Sequence, residues 1–242
     1  GFHQGCEPMN GPFVKLLLTD FQLQWRYRII AAYAVVIGLY TTIILVAQDA
    51  LPHWVIAIII YSDPAVLGFF FLGGLMMLEK SENVRLARAM SPISATQYLA
   101  AKSISLTIVA VAAVCVLSVA AQLAWHNVAL VIFATICTSI MFISAGAIAA
   151  LKFKTVSGYL IGSVPIITPL VAPAALLIAD PLPLFVYAIP PVAQLKLLLV
   201  AFDPEPTAFS VLGICALGCS VAATVCFIGS ANFLKQELGS KP

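Results

Sequence analysis

Six long apolar runs, separated by short polar breaks, constrain this chain more than any motif in it. A helix that crosses a bilayer needs about 20 consecutive apolar residues. Residues 29–47, 55–78, 98–121, 128–151, 156–178 and 209–229 each supply such a stretch. In hydrocarbon every backbone N–H and C=O must find a partner within the protein, so runs of this kind fold as helices. Charge content agrees, at 9% of residues against about 25% in soluble domains. Twelve basic and ten acidic side chains are too few to keep a surface of this size in water. The expected fold class is all-α integral membrane, with six transmembrane helices in a single domain over residues 29–230.

One further stretch could be counted as a seventh span. Residues 179–206 carry Pro181, Pro183, Pro190, Pro191, Pro204 and Pro206 around an apolar core from Leu184 to Val200. Pro190-Pro191 removes two backbone donors at the centre of that core, which a lipid-facing helix does not tolerate. This segment is expected to form an outward re-entrant hairpin of two short helices before the last span. The basic residues support the even count. With the N-terminus in the cytoplasm, six spans leave Lys196 alone outside and put the other 11 of 12 basic residues inside, as the positive-inside rule requires. Seven spans would move Lys235 and Lys241 outside. Both termini, including a tail over 231–242, are therefore expected in the cytoplasm of a cell whose plasma or inner membrane holds the chain. Trp54 and Trp125 fit an aromatic belt at the outer boundary, with His53 and His126 read as interfacial polar residues.

Residues 1–12, GFHQGCEPMNGP, are polar and rich in Gly and Pro and lack the pattern of a cleavable signal peptide. They read as disordered or as a fusion scar, with Met9 a candidate native start. Residues 13–28 place Phe13, Leu16, Leu17, Phe21 and Trp25 on one helical face and Lys15, Thr19, Gln22 and Arg26 on the other. That pattern is an amphipathic helix lying in the membrane interface.

Several chemistries are missing from the sequence. It has no GxxxxGK[ST] to cradle ATP, no HExxH and no GxSxG. Asp63 is the only acidic residue well inside an apolar run, so a paired-aspartate protease is excluded. Cys115, Cys137, Cys215, Cys219 and Cys226 lie in apolar runs and make no CxxC pair; they read as small buried hydrophobes, and no metal site is expected. A transport or interaction device is expected rather than an enzyme.

Three features remain for such a device. Ser62-Asp63-Pro64 interrupts the second run, and Asp before Pro reads as an N-cap that restarts a helix; a contact to substrate or to a cation is the alternative. In the fifth run Pro165, Pro169 and Pro173 recur every four residues after Gly158 and Gly162, a candidate flexing or dimer-interface helix. Between the second and third runs, Leu86 and Met90 share a face while Glu79, Lys80, Glu82, Arg85 and Arg88 supply charge. Ser91-Pro92 ends this short helix, and Ser94 with Gln97 makes a capping box for the third span. A pinned, charged segment suits a soluble partner.

The stretches DFQLQWRYR, YSDPAVLGFFFLGGLMMLEK and MSPISATQYLAAK resemble the permease subunits of bacterial ABC type-2 exporters, closest to the fluoroquinolone-export permease group. The resemblance implies a six-helix permease that dimerises with a second copy or a paralogue. It implies a separate cytoplasmic ATPase subunit that binds ATP and Mg, so that ATP hydrolysis takes place on the partner chain. It also implies that Glu79 to Met90 is the coupling helix seated in that partner. The expected cargo is an amphipathic or lipid-like compound. The rivals are a proton- or cation-coupled secondary transporter using Asp63, and a non-transporting membrane scaffold. Secondary transporters are often built from two related halves, and no internal repeat is evident here.

Overall fold

A computed structural model of the chain describes residues 10–47, 50–81, 94–179, 181–202 and 208–239. Six helical stretches are long and apolar enough to cross a membrane: Ile29–Val46, His53–Glu79, Ala95–Ala120, Trp125–Lys152, Val156–Ala179 and Phe209–Glu237, here spans one to six. The described residues are otherwise helices and short connections. The amphipathic pattern forms a leading helix, Asn10–Arg26, which starts three residues before the expected position 13. It ends where Arg28 takes a left-handed backbone (φ 56°), a conformation that a residue with a Cβ rarely adopts, and span one sets off in a new direction.

Span four is the hub. It packs against spans two, three and six and against the helix Pro190–Phe202. Lipid is as apolar as a leucine side chain, so helices in a membrane are held by close packing rather than by apolar burial. The sequence of span four permits that closeness. A Cβ on Gly146 would lie 2.7 Å from the Phe69 carbonyl oxygen, and one on Gly68 would lie 3.3 Å from the Ser139 carbonyl oxygen. Both contacts join span four to span two where the latter widens into a π-helical turn, Leu67–Phe71.

That turn replaces the break expected at Ser62-Asp63-Pro64. Helix His53–Val66 runs through all three residues, so Asp63 does not cap a restarted helix. The backbone accommodates the missing donor of Pro64 by widening one turn further on, a usual site of such strain.

The proline-rich stretch forms a short 3-10 turn, Leu184–Ala188, followed by the helix Pro190–Phe202. Pro190 and Pro191 open this helix instead of dividing one, which is where proline is best tolerated. At 13 residues the helix is about 20 Å long, short of a crossing. Val192, Ala193, Gln194, Leu197 and Leu198 are buried within the bundle, and Asn127 Nδ2 donates to the Ala201 carbonyl at 2.8 Å. The segment is thus embedded in protein and tied to the start of span four.

Candidate functional site

The strongest polar feature of the bundle is a charged junction where three distant parts of the chain meet. Span three begins with the capping box read from the sequence: Gln97 N–H donates to Ser94 Oγ at 3.2 Å, and Ser94 N–H donates to Gln97 Oε1 at 3.0 Å. One to two turns later comes Lys102, only 1% exposed. Its ammonium lies 2.7 Å from Glu79 Oε1, at the end of span two, and 3.1 Å from Asp20 Oδ1, on the leading helix. Tyr98 donates its hydroxyl to Glu79 Oε2 at 2.7 Å, and the ammonium also sits 5.1 Å from the centre of the Tyr98 ring. Gln24, one turn past Asp20, donates to Ser105 Oγ at 2.9 Å.

Such an arrangement holds position rather than performing chemistry. A buried charge is costly unless it is paired and hydrogen-bonded, so each member fixes the others. The leading helix therefore has three working sides. Leu16, Asp20 and Gln24 are buried and face the bundle, Val14, Leu18 and Trp25 are exposed and apolar, and Lys15, Thr19, Gln22 and Arg26 form the exposed polar side.

Of the residues expected to grip a partner, Glu79 is placed differently from the expectation. It is buried, with its carboxylate turned to Lys102 and Tyr98, because a buried ammonium is costly unless it is paired. Glu82, Arg85, Leu86, Arg88 and Met90 lie outside the described residues, as does the side chain of Lys80.

Asp63 is also buried, and accepts a hydrogen bond from the hydroxyl of Tyr33 on span one. Tyr33 rests edge-on against Phe71 of the π-helical turn, with ring centres 6.5 Å apart. Spans one and two are joined through this pair.

Span five is largely exposed but held in two places: its last residues, with Ala174 buried, pack on the helix Pro190–Phe202, and its first turn is fixed by a tyrosine. Tyr159 is fully buried and donates to the Phe69 carbonyl at 2.6 Å, satisfying an oxygen in the π-helical turn. Its ring fills the place of a side chain at Gly73, where a Cβ would lie 2.0 Å from Tyr159 Cζ. Beyond Gly162 the helix breaks at Ser163 and resumes as Val164–Val171, with Pro165 and Pro169 exposed. Gly162 leaves room for Phe153 of the same chain, whose ring a Cβ would meet at 2.3 Å, while Gly158 is exposed and sits over Thr155. The Gly158–Gly162 pair therefore does not seat another span of this chain. Pro173 falls in a closing 3-10 segment, Ala172–Ala179. Among the described residues no group of His, Cys, Asp and Glu is placed to hold a metal ion.

Asp20, Tyr33, Tyr98, Lys102, Tyr159 and Gly73 were not singled out by their sequence context. One signal was available: Asp20 and Gln24 follow Leu16 at steps of four, and so interrupt the apolar face of the leading helix.

The model of the fluoroquinolones export permease protein family matches residues 12–236, nearly the whole described chain. Two curated relatives, each a fluoroquinolones export permease protein, come from Mycobacterium tuberculosis strains CDC 1551 and H37Rv. Each is 30% identical over 185 residues, which is 70% of this chain and 75% of the relative. No solved structure matches the chain. A six-span bundle with a charged junction and a largely exposed fifth span is thus joined to a match over almost its full length: the chain belongs to the fluoroquinolone export permease family, and is a multi-pass membrane export permease.

Proposed function

We propose that this permease is the membrane subunit of an ATP-driven exporter. A separate cytoplasmic ATPase, carrying ATP and magnesium, docks on residues 79–92 and drives the bundle between inward- and outward-facing states. The observation that carries this reading is the junction of Asp20, Glu79 and Lys102. It flanks the docking segment on one side through Glu79 and on the other through Tyr98 and the Ser94 cap. A segment flanked on one side by the buried Glu79 and on the other by a helix cap and Tyr98 would pass a push to spans two and three, and through Lys102 and Asp20 to the leading helix. A slack loop would absorb it.

The cargo in this reading is an amphipathic compound, with fluoroquinolones the class suggested by the names of the relatives. A second copy or a paralogue packs on spans one and five, whose most apolar stretches are only 17% and 11% buried within the chain. The leading helix lies along the inner leaflet, with Trp25 toward lipid and Lys15 and Arg26 toward water and anionic headgroups. Asp63 serves to hold span one to span two, which favours the ATP-driven reading over a gradient-driven one through that carboxylate.

The test is affinity purification from native membranes, followed by ATP hydrolysis with and without ciprofloxacin. The wild type is expected to retain an ATPase that ciprofloxacin stimulates. Leu86→Asp with Met90→Asp is expected to lose that ATPase at equal yield, because interfaces rest on a few apolar anchors. Retention and normal stimulation in the double variant would place the docking site elsewhere. If no ATPase accompanies the wild type, gradient-driven transport or a scaffold role takes over.

A further inference from the structure

Span two collects its weak points between Pro64 and Gly74. Pro64 supplies no backbone donor, Leu67–Phe71 widens into a π-helical turn, and Gly73-Gly74 follows. Proline, a π-turn and paired small residues are each causes of a bend in a helix, and glycine is among the weakest helix formers. On either side of this stretch the span is well seated. Ile56, Ala57, Ile60 and Tyr61 are buried in the half that begins at His53, and Leu72, Leu75 and Met77 in the half that ends at Glu79.

The glycines of this stretch are not alike, and the difference locates the bend. Gly68 is required by packing. A Cβ there would lie 3.2 Å from the Ile143 nitrogen and 3.3 Å from the Ser139 carbonyl oxygen, so this part of the turn is pressed against the backbone of span four. Gly73 is required as well, since the Tyr159 ring occupies its side-chain position. Gly74 is not. A Cβ there meets nothing within 4 Å, so among the described residues no contact accounts for a helix-weakening residue at that place. It follows directly on the part of span two that span four holds still.

We propose that Gly73-Gly74 is a hinge in span two, with the π-helical turn as its fulcrum and Tyr159 as the follower that carries its motion to span five. The half beyond the hinge ends in the charged junction through Glu79, so a push on the docking segment reaches Gly73 along the helix Leu72–Ser81. Tyr159 fills the side-chain place of Gly73, stacks on Phe69 with ring centres 6.0 Å apart and donates to the Phe69 carbonyl. A swing at Gly73 therefore displaces the first turn of span five, because no side chain lies between them to yield. The proposal rests on the exporter reading and names where its bundle bends.

The test is Gly74→Ala in the complex purified with its ATPase, beside Gly229→Ala in span six, where a Cβ also meets nothing within 4 Å. Alanine stiffens either helix without a clash. Both variants are expected to keep the bound ATPase at its basal rate, with yield at wild type and a thermal midpoint at or above it. Gly74→Ala is expected to reduce stimulation by ciprofloxacin about five-fold, the population shift that the helix preference of alanine over glycine implies. Gly229→Ala is expected to leave stimulation unchanged. A second readout needs no drug. In a background without native cysteines, a cysteine at Ile161 of span five is expected to change its rate of reaction with a thiol reagent when ATP and vanadate are added, and Gly74→Ala to suppress that change. Wild-type stimulation and wild-type reactivity in Gly74→Ala overturn the hinge and leave the exporter reading standing. A lowered midpoint in Gly74→Ala makes Gly74 a packing contact and also overturns the hinge, as do equal losses of stimulation in the two variants. If no ATPase accompanies the wild type, the hinge and the exporter reading fall together.

Discussion

Spans four and five are both long, apolar and free of acidic residues, yet the most apolar stretch of one is 56% buried within the chain and that of the other 11%. Composition alone does not separate them. Span four is an unbroken helix of 28 residues whose Gly146, with Gly68 of span two, lets the two backbones come into contact. Span five is divided at Ser163, ends as a 3-10 segment, and is held by Tyr159 near its start and by packing of its last residues on Pro190–Phe202. In a membrane, where apolar area alone brings no helices together, this is the difference between a closely packed frame and a span that keeps most of its surface free.

The largest effect is expected at the end of the frame. Lys102→Met leaves the buried carboxylates of Asp20 and Glu79 without their shared cation, and removal of one member of a buried ion pair costs about 3–5 kcal/mol. Thermal unfolding in detergent should show that loss, and an unchanged midpoint would mean that the junction is hydrated. Next comes Gly146→Val in the hub. Its side chain meets the Phe69 backbone, and overpacking of this kind costs roughly 1–3 kcal/mol in the same measurement. Smallest is Tyr159→Phe, which keeps the ring in the Gly73 socket but leaves the Phe69 carbonyl without its donor, about 1–2 kcal/mol. Its sharper readout is local: a cysteine introduced at Ile161 should react faster with a thiol reagent than in the wild-type background, while one at Ile143 should not change. Equal changes at both positions would erase the distinction between the two spans.

Much of the frame was legible because its causes are local. Run length sets the six spans, Ser94 and Gln97 set the start of span three, and Pro190-Pro191 denies a seventh crossing whichever way the segment folds. The junction was not legible, because its three charges lie 59 and 23 positions apart in sequence and meet only once the helices are packed. Lys102 counted as one more inside charge, Glu79 as part of a docking face, and Asp20 was passed over between two helical faces. Asp63-Pro64 misled for a related reason. The Asp-Pro pair is a capping signal in isolation, but Tyr33 from another span takes up the carboxylate, and the π-helical turn absorbs the proline.

The central claim is that the junction carries motion, beyond holding the fold. A single substitution confuses the two roles, whereas Asp20→Leu, Glu79→Met and Lys102→Met together remove all three charges, and replacing a complete buried ion network by well-packed apolar residues of similar volume is often nearly neutral for stability. The measurement is ciprofloxacin-stimulated ATP hydrolysis by the purified complex of this triple variant, at a yield and thermal midpoint matched to wild type. The expected result is an ATPase that remains bound and hydrolyses ATP at its basal rate, with stimulation by ciprofloxacin reduced about ten-fold or more. Stimulation equal to wild type in a folded, ATPase-bound triple variant would contradict the claim and leave the junction a structural clamp.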